Sequence, residues 1–161
     1  MDFLMQKYSD IKGSFIGSIF YEIDLTAKYC KMLGTQVFEK FETGVSVEEF
    51  AVLDTLLCNP GICQRDLAKI ILKDRANTGK IIDGLEKKGL VKRILSVKNN
   101  RPVKLTELTE EGIKKAEEVS KNVRPHLALI QEKIIGTDIG QVSELLKKFR
   151  QVLSESVDIQ I

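Results

Sequence analysis

Residues 61–91 constrain the fold more than any other part of the chain, because they have the pattern of two short helices joined by a tight turn. The first helix is predicted from Cys63 to about Leu72 and the second from Asp74 to Gly89, each with apolar residues at steps of three and four. Asp74 can cap the second helix by accepting backbone N–H groups of its first turn. Gly89 can adopt the left-handed backbone that ends it. The stretch predicts a helix-turn-helix.

The polar residues near the start of the second helix are candidates for contacting DNA. Arg, Asn and Lys side chains pair with base edges and phosphates in a major groove. The candidates in this helix are Arg75, Asn77, Thr78 and Lys80. An ordinary amphipathic helix with a solvated polar face has the same pattern, so the helix alone leaves both interpretations open.

Two β-rich runs follow, at residues 91–97 and 103–108, with an Asn-rich turn at residues 98–102 between them. This pattern predicts a hairpin. A hairpin directly after a helix-turn-helix predicts a winged helix, whose tip can reach a DNA backbone or enter a minor groove. The candidates at the tip are Lys98, Asn99 and Arg101.

Charge is concentrated in the same region. Residues 60–104 carry eight Lys and four Arg against three Asp and one Glu, whereas the whole chain has a net charge of only +2. A basic middle flanked by acidic ends favours binding to double-stranded DNA over a winged helix that contacts only other proteins, which is the alternative function. RNA binding is disfavoured because the basic region lacks aromatic side chains that would stack on unpaired bases.

Long helices are predicted on both sides of this region. Residues 14–42 and residues 138–157 each have an apolar stripe, and a further helix is predicted from Thr109 toward Ile135. Pro125 is expected to kink or divide that helix, because it removes a donor and clashes with the preceding turn. The central module is too small to cover both apolar stripes. They predict a homodimer that presents two recognition helices to a palindromic site, although packing within one chain is the alternative.

Length and composition bound the remaining possibilities. A chain of 161 residues with 43% hydrophobic content suits a single domain over residues 1–161. Neither a signal peptide nor a membrane-spanning stretch is predicted. Three cysteines and one histidine without metal-type spacing predict no disulfide scaffold, metal or cofactor, and fit the reducing cytoplasm. No Gly-rich phosphate loop or nucleophile motif indicates an enzyme.

Three segments carry a resemblance to a known family: residues 45–53 entering the helix at 47–58, residues 85–91 closing the second helix of the helix-turn-helix, and residues 108–112 after the wing. With the order of elements, they make the chain resemble the MarR family of winged-helix transcriptional regulators over residues 13–157. The resemblance implies a fold that is mainly α with a small β-hairpin wing. The DNA-binding lobe would span residues 46–108, and residues 1–42 and 109–161 would form the dimerisation helices.

The resemblance also implies a function. Such regulators bind operator DNA as obligate homodimers and repress or activate nearby genes. Their binding is usually relieved by a small aromatic or lipophilic effector, or by an oxidant.

The chain departs from the family pattern at two places. The wing has Asn99 where the family typically has an Asp before its minor-groove Arg, and Arg101 is the expected reader. Gly79 stands where a small polar residue is more common, and it either permits close backbone approach to DNA or loosens the helix. Cys30 lies about two helical turns after the position of the family's reactive cysteine, and its place on the apolar stripe favours packing over a sensor role. Packing is also favoured for Cys58 and Cys63, which flank the turn at residues 59–61.

Overall fold

The computed structural model describes residues 18–98, 100–133 and 138–157, and the chain divides into two compact units after Gly44. The first unit contains helix α1, Ile19–Lys40. Ser18 caps it by accepting the backbone N–H of Tyr21 at 3.3 Å. The helix predicted for residues 14–42 is therefore present from Ile19, and its predicted first residues lie outside the described part of the chain.

The second unit opens with helix α2, Val47–Cys58, whose start is set by a reciprocal capping box. The Ser46 hydroxyl accepts the backbone N–H of Glu49 at 3.1 Å, and a Glu49 carboxylate oxygen accepts the backbone N–H of Ser46 at 2.8 Å. Both bonds connect residues three positions apart, so the start of α2 is set by local interactions.

The predicted helix-turn-helix is present as α3, Gln64–Ile70, and α4, Arg75–Lys87. Asp74 caps α4 as predicted, and Gly89 has a φ of +71° just beyond its end. The first helix begins one residue later than predicted, because Cys63 belongs with Ile62 to a two-residue strand, β1.

The wing consists of β2, Val91–Lys98, and β3, Arg101–Leu108, in an antiparallel sheet of order β1-β3-β2. Its turn is shorter than the predicted residues 98–102, because Val97 pairs with Pro102 and Lys98 pairs with Arg101. Pro102 is tolerated in the strand because β1 reaches only as far as Leu105. From Arg101 to Lys104, β3 is therefore an edge strand. The missing N–H of Pro102 there leaves no hydrogen bond between strands unmade.

The core of the second unit lies where α2, α3, α4 and the base of the wing meet. Each of its large side chains is worth about 1.5–3 kcal/mol of burial. The large, fully buried aliphatic members from these elements are Val52, Leu53, Leu56, Leu67, Ile82, Leu85 and Val91.

Helix α5, Glu110–Glu132, packs on α2, and helix α6, Ile139–Ser156, follows it. Pro125 does not divide α5 as the sequence suggested it could. Because Pro125 is exposed, water can bind the carbonyl group that lacks an intrahelical donor. No residue of α6 is buried. The fold is mainly α with a small β-hairpin wing, as predicted, and no described helix is long and apolar enough to cross a bilayer.

Candidate nucleic-acid interface

Helix α4 has one face in the core and the opposite face in solvent. Thr78, Ile82 and Leu85 are fully buried, at the spacing expected for one side of an α-helix. The opposite side carries Lys80 and Lys87, both exposed. A helix anchored in this way presents a fixed row of polar side chains to a partner.

Three of the four candidates in α4 lie on its exposed surface. Arg75, Asn77 and Lys80 are exposed within the first two turns. Lys80 makes no ion pair with any residue that the structure describes. Its ammonium group is therefore available for a phosphate or a base edge.

Thr78 corrects the sequence prediction. Its side chain is fully buried, and its hydroxyl group donates a hydrogen bond to the Asp74 carbonyl oxygen at 2.8 Å. A threonine hydroxyl group that donates to a carbonyl oxygen of the preceding turn needs no hydrogen bond with water. Thr78 belongs to the core and is removed from the candidate DNA contacts.

Asn77 is held at the start of α4 by the residue that caps the helix. The Asp74 carboxylate accepts the backbone N–H of Asn77 at 2.8 Å, and its second oxygen accepts the Asn77 side-chain amide. The backbone and side-chain hydrogen bonds from Asn77 hold the pKa of Asp74 below its ordinary value. A base contact through the Asn77 amide nitrogen would replace this side-chain bond.

Ion pairs hold both ends of α4 to the start of α2. Lys73, just before α4, pairs with Glu48 at 2.8 Å, and Lys88, just after it, pairs with Glu49 at 2.8 Å. Exposed pairs of this kind contribute about 0.2–1 kcal/mol each. Their effect here is mainly to fix the direction of the helix.

Arg93 on β2 joins the wing to α4. Its guanidinium group pairs with Asp83 and with Glu86, both at 2.6 Å. Partial burial acts to lower the pKa of Arg93, but the hydrogen bonds to the two carboxylates outweigh it and raise that pKa. Asp83 is exposed on α4. Its negative charge is balanced by Arg93.

The tip of the wing is described in part. Arg101 is exposed, makes no ion pair with a described residue, and opens β3. With Arg65 it lines a cleft of about 780 Å³ between the turn before α3 and the outer side of the wing. Asn99 and the Lys98 side chain lie outside the described residues, so their predicted roles stay predictions. Asn100 supplies the left-handed residue of the turn, with a φ of +56°.

Several cations of the second unit remain exposed without an ion pair to any described residue. They lie on α3, α4 and the wing: Lys69, Lys80, Lys87, Arg101 and Lys104. Other basic residues of the region are already paired with carboxylates of the same unit, including Lys73, Lys88 and Arg93. The number of positive charges available to a polyanion is therefore smaller than the count of Lys and Arg in residues 60–104.

The cysteines and potential metal ligands offer no second site among the described residues. Cys30 and Cys58 are exposed, so neither is packed within the single chain as the sequence favoured, whereas Cys63 is half-buried. The Cys63 thiol donates a hydrogen bond to Asp66 at 3.1 Å. No described group of three His, Cys, Asp or Glu side chains could hold a metal ion.

Sequence reasoning missed two residues of this interface. Arg93 had been counted only as part of the basic region, and its pairing with α4 required the register of β2. Gln64 carries no sequence signal, yet its side-chain amide donates to the Arg75 carbonyl oxygen at 2.8 Å. Both contacts join separate elements, which local patterns do not report.

Residues 45–103 match the model of the MarR family. No curated protein matches the chain. The transcriptional regulator SlyA is 26% identical to the chain, with a TM-score of 0.69 over 86% of this chain and 96% of SlyA. The MepR–DNA complex of S. aureus is 20% identical, with a TM-score of 0.69 over 89% and 100% of the two chains.

The PcaV transcriptional regulator from Streptomyces coelicolor, in complex with its natural ligand, is 17% identical, with a TM-score of 0.63 over 91% of this chain and 100% of PcaV. These matches confirm the winged-helix fold and the resemblance to the MarR family.

Proposed function

We propose that this chain, a MarR-family winged helix over residues 45–103, is a transcriptional regulator that binds double-stranded DNA in a sequence-specific manner. The observation that carries the proposal is the exposure of Arg75, Asn77 and Lys80 in the first two turns of a helix that is anchored by its fully buried face. A helix fixed in this way can enter a major groove without rearranging the fold.

The side chains divide into reading and gripping roles. Asn77 and Lys80 lie where they would meet base edges, for which amide and ammonium groups are suitable donors. Arg75, at the first position of α4, would contact a phosphate or a flanking base. Arg101 would enter the adjacent minor groove, and Lys98 and Asn99 would complete the wing contact. The roles of Arg75, Asn77, Lys80 and Arg101 are supported by their exposure and chemistry, and those of Lys98 and Asn99 by their positions in the sequence.

The functional unit in this proposal is a homodimer. Helix α6 carries a row of exposed apolar side chains, including Leu145, 66% exposed, and Val152, 62% exposed. A stripe of this kind normally packs against another surface. A twofold dimer would present two α4 helices to a palindromic operator, and residues 1–42 and 109–161 would supply the dimer contacts.

Repression relieved by a small aromatic or lipophilic effector completes the proposal. It is supported by the fold shared with PcaV, whose structure contains its natural ligand, and with MepR, whose structure contains DNA. The cytoplasm is the proposed location, since operator DNA is found there in bacteria.

A gel-shift assay with the DNA upstream of the chain's own gene tests the proposal. A retarded complex that unlabelled operator displaces, and a scrambled duplex of equal length does not, would support sequence-specific binding. Equal displacement by both duplexes would contradict it.

The second candidate function is a winged helix that binds another protein. It is favoured by Leu95 and Val97 of β2, which are 79% and 71% exposed on one side of the wing. Two measurements distinguish the functions, partner binding by the Lys80→Ala variant and binding to duplex DNA. A protein-only module would retain full partner binding after Lys80→Ala and would form no specific complex with duplex DNA.

A further inference from the structure

We propose that Gln64 is a positioning residue that sets the start of α4, and that Gly79 is glycine because the Gln64 amide occupies the space beside it. The expected effect on DNA recognition rests on the proposed DNA-binding function. The contact between Gln64 and Gly79 does not depend on that function.

The contact joins the first residues of the two helices. Gln64 opens α3, Arg75 opens α4, and the Gln64 Nε2 lies 2.8 Å from the Arg75 carbonyl oxygen. The two residues are eleven positions apart and are separated by the turn of the helix-turn-helix. The bond therefore fixes the first turn of α4 relative to α3.

Helix geometry places Gly79 beside the same Arg75 carbonyl oxygen. In an α-helix the carbonyl oxygen of Arg75 accepts the N–H of the residue four positions later, which is Gly79. The Gln64 amide is thus a second donor to that oxygen and must lie close to position 79. A β carbon built at Gly79 would stand 2.9 Å from Gln64 Nε2, closer than side chains tolerate.

This arrangement gives Gly79 a reason different from both sequence interpretations, which were close approach to DNA and a loosened helix. The missing side chain would point at Gln64 of α3. The glycine leaves room for an interhelical hydrogen bond, whereas its neighbour Lys80 is exposed.

Substitution at Gly79 should cost little stability and still change DNA recognition. Alanine is the better helix former, but it displaces the flexible end of Gln64 and breaks the bond to Arg75. These effects oppose each other. The start of α4 is then no longer fixed, and a groove contact misplaced by a fraction of an ångström loses its specificity.

The test is a double-mutant cycle with Gln64→Ala, Gly79→Ala and the combined variant, which isolates the coupling between the two positions. Chemical unfolding should show that Gly79→Ala stabilises the Gln64→Ala protein more than it stabilises the wild type. An equal effect in both backgrounds would overturn the proposed contact.

The same variants are then compared by fluorescence anisotropy on operator and scrambled duplexes. Each single change should lower the ratio of operator to scrambled affinity about tenfold, the size of one lost base contact. The double variant should lose no more than either single one. Independent, multiplying losses, or unchanged ratios in the single variants, would overturn the positioning role.

Gly84→Ala is the matched control in the same helix. Its added methyl group would meet only a Glu49 carboxylate oxygen at 3.5 Å, which is an ordinary contact. The ratio of affinities should stay at the wild-type value. If the wild type itself does not distinguish the two duplexes, the proposed function fails, and the unfolding cycle still decides whether Gln64 and Gly79 are coupled.

Discussion

A β carbon at Gly112 would overlap the backbone carbonyl group of Leu90. The same carbonyl oxygen accepts the backbone N–H of Thr109 at 3.1 Å. The first turn of α5 therefore rests directly on the backbone that leads into the wing. The glycine at this position, part of the segment that suggested the family, is required by contact between two backbones.

Gly112→Ala should destabilise the fold by about 3 kcal/mol, because neither backbone can move away as a flexible side chain could. The measurement is the free energy of unfolding in urea. Gly84→Ala is the control, and it should stabilise the protein by up to about 1 kcal/mol, since it adds a good helix former whose methyl group makes only an ordinary contact. A Gly112→Ala protein as stable as the wild type would contradict this contact.

Asp74 should make part of the stability of the second unit depend on pH. Its pKa in the folded protein is depressed, so its contribution is complete above the ordinary carboxyl pKa of 3.8 and is lost as pH falls through the lower folded value. The gap in unfolding free energy between wild type and Asp74→Ala should be widest near neutral pH and should narrow below about pH 4. A gap that stays constant down to pH 2 would show that the charge of Asp74 plays no part.

Leu145→Asp should convert the protein from dimer to monomer. Leu145 is 66% exposed in the single chain, so a charge there costs the isolated subunit little, but it would be buried unpaired in a dimer that uses α6. Sedimentation equilibrium measures the change. Lys148→Asp, at an exposed polar position of the same helix, should leave the dimer intact. A Leu145→Asp protein that remains dimeric would place the interface elsewhere.

Arg101→Ala should weaken binding most at operators with A·T-rich flanks. A guanidinium group is attracted by the enhanced negative potential of a narrow minor groove, which G·C-rich flanks lack. Lys104→Ala removes another exposed cation of the wing and should weaken both operators alike. If the two substitutions weaken binding equally at both kinds of operator, Arg101 contributes only diffuse positive charge.

The parts of the fold that the sequence predicted are those set by neighbours in the chain. Asp74 caps α4 through a bond to the residue three positions away, so residue type and spacing were sufficient. Thr78 was misplaced because a hydroxyl that bonds to the preceding turn has the same sequence signature as one that faces solvent. Arg93 and Gln64 depend on how separate elements pack, and no local pattern contains that information.

The strand β1 was missed for a related reason. Two residues are too few for an alternating pattern, and Ile62 and Cys63 are extended only because β3 lies beside them. The sequence predicted the side chains of the candidate site more completely than the contacts that hold them in position. Arg75, Asn77, Lys80 and Arg101 are exposed as expected, whereas the contacts that hold α4 in place came from the structure.

The salt dependence of operator binding, measured with the wild type and Lys80→Ala, tests the central claim most directly. Cations that neutralise phosphates release condensed counterions, so wild-type affinity should fall on the order of 1000-fold between about 50 and 200 mM salt. Lys80→Ala should weaken operator binding by roughly 1–3 kcal/mol if it contacts a base, while binding to a scrambled duplex changes far less. Affinity that is flat with salt, or an operator preference that Lys80→Ala leaves unchanged, would contradict an α4 that reads DNA.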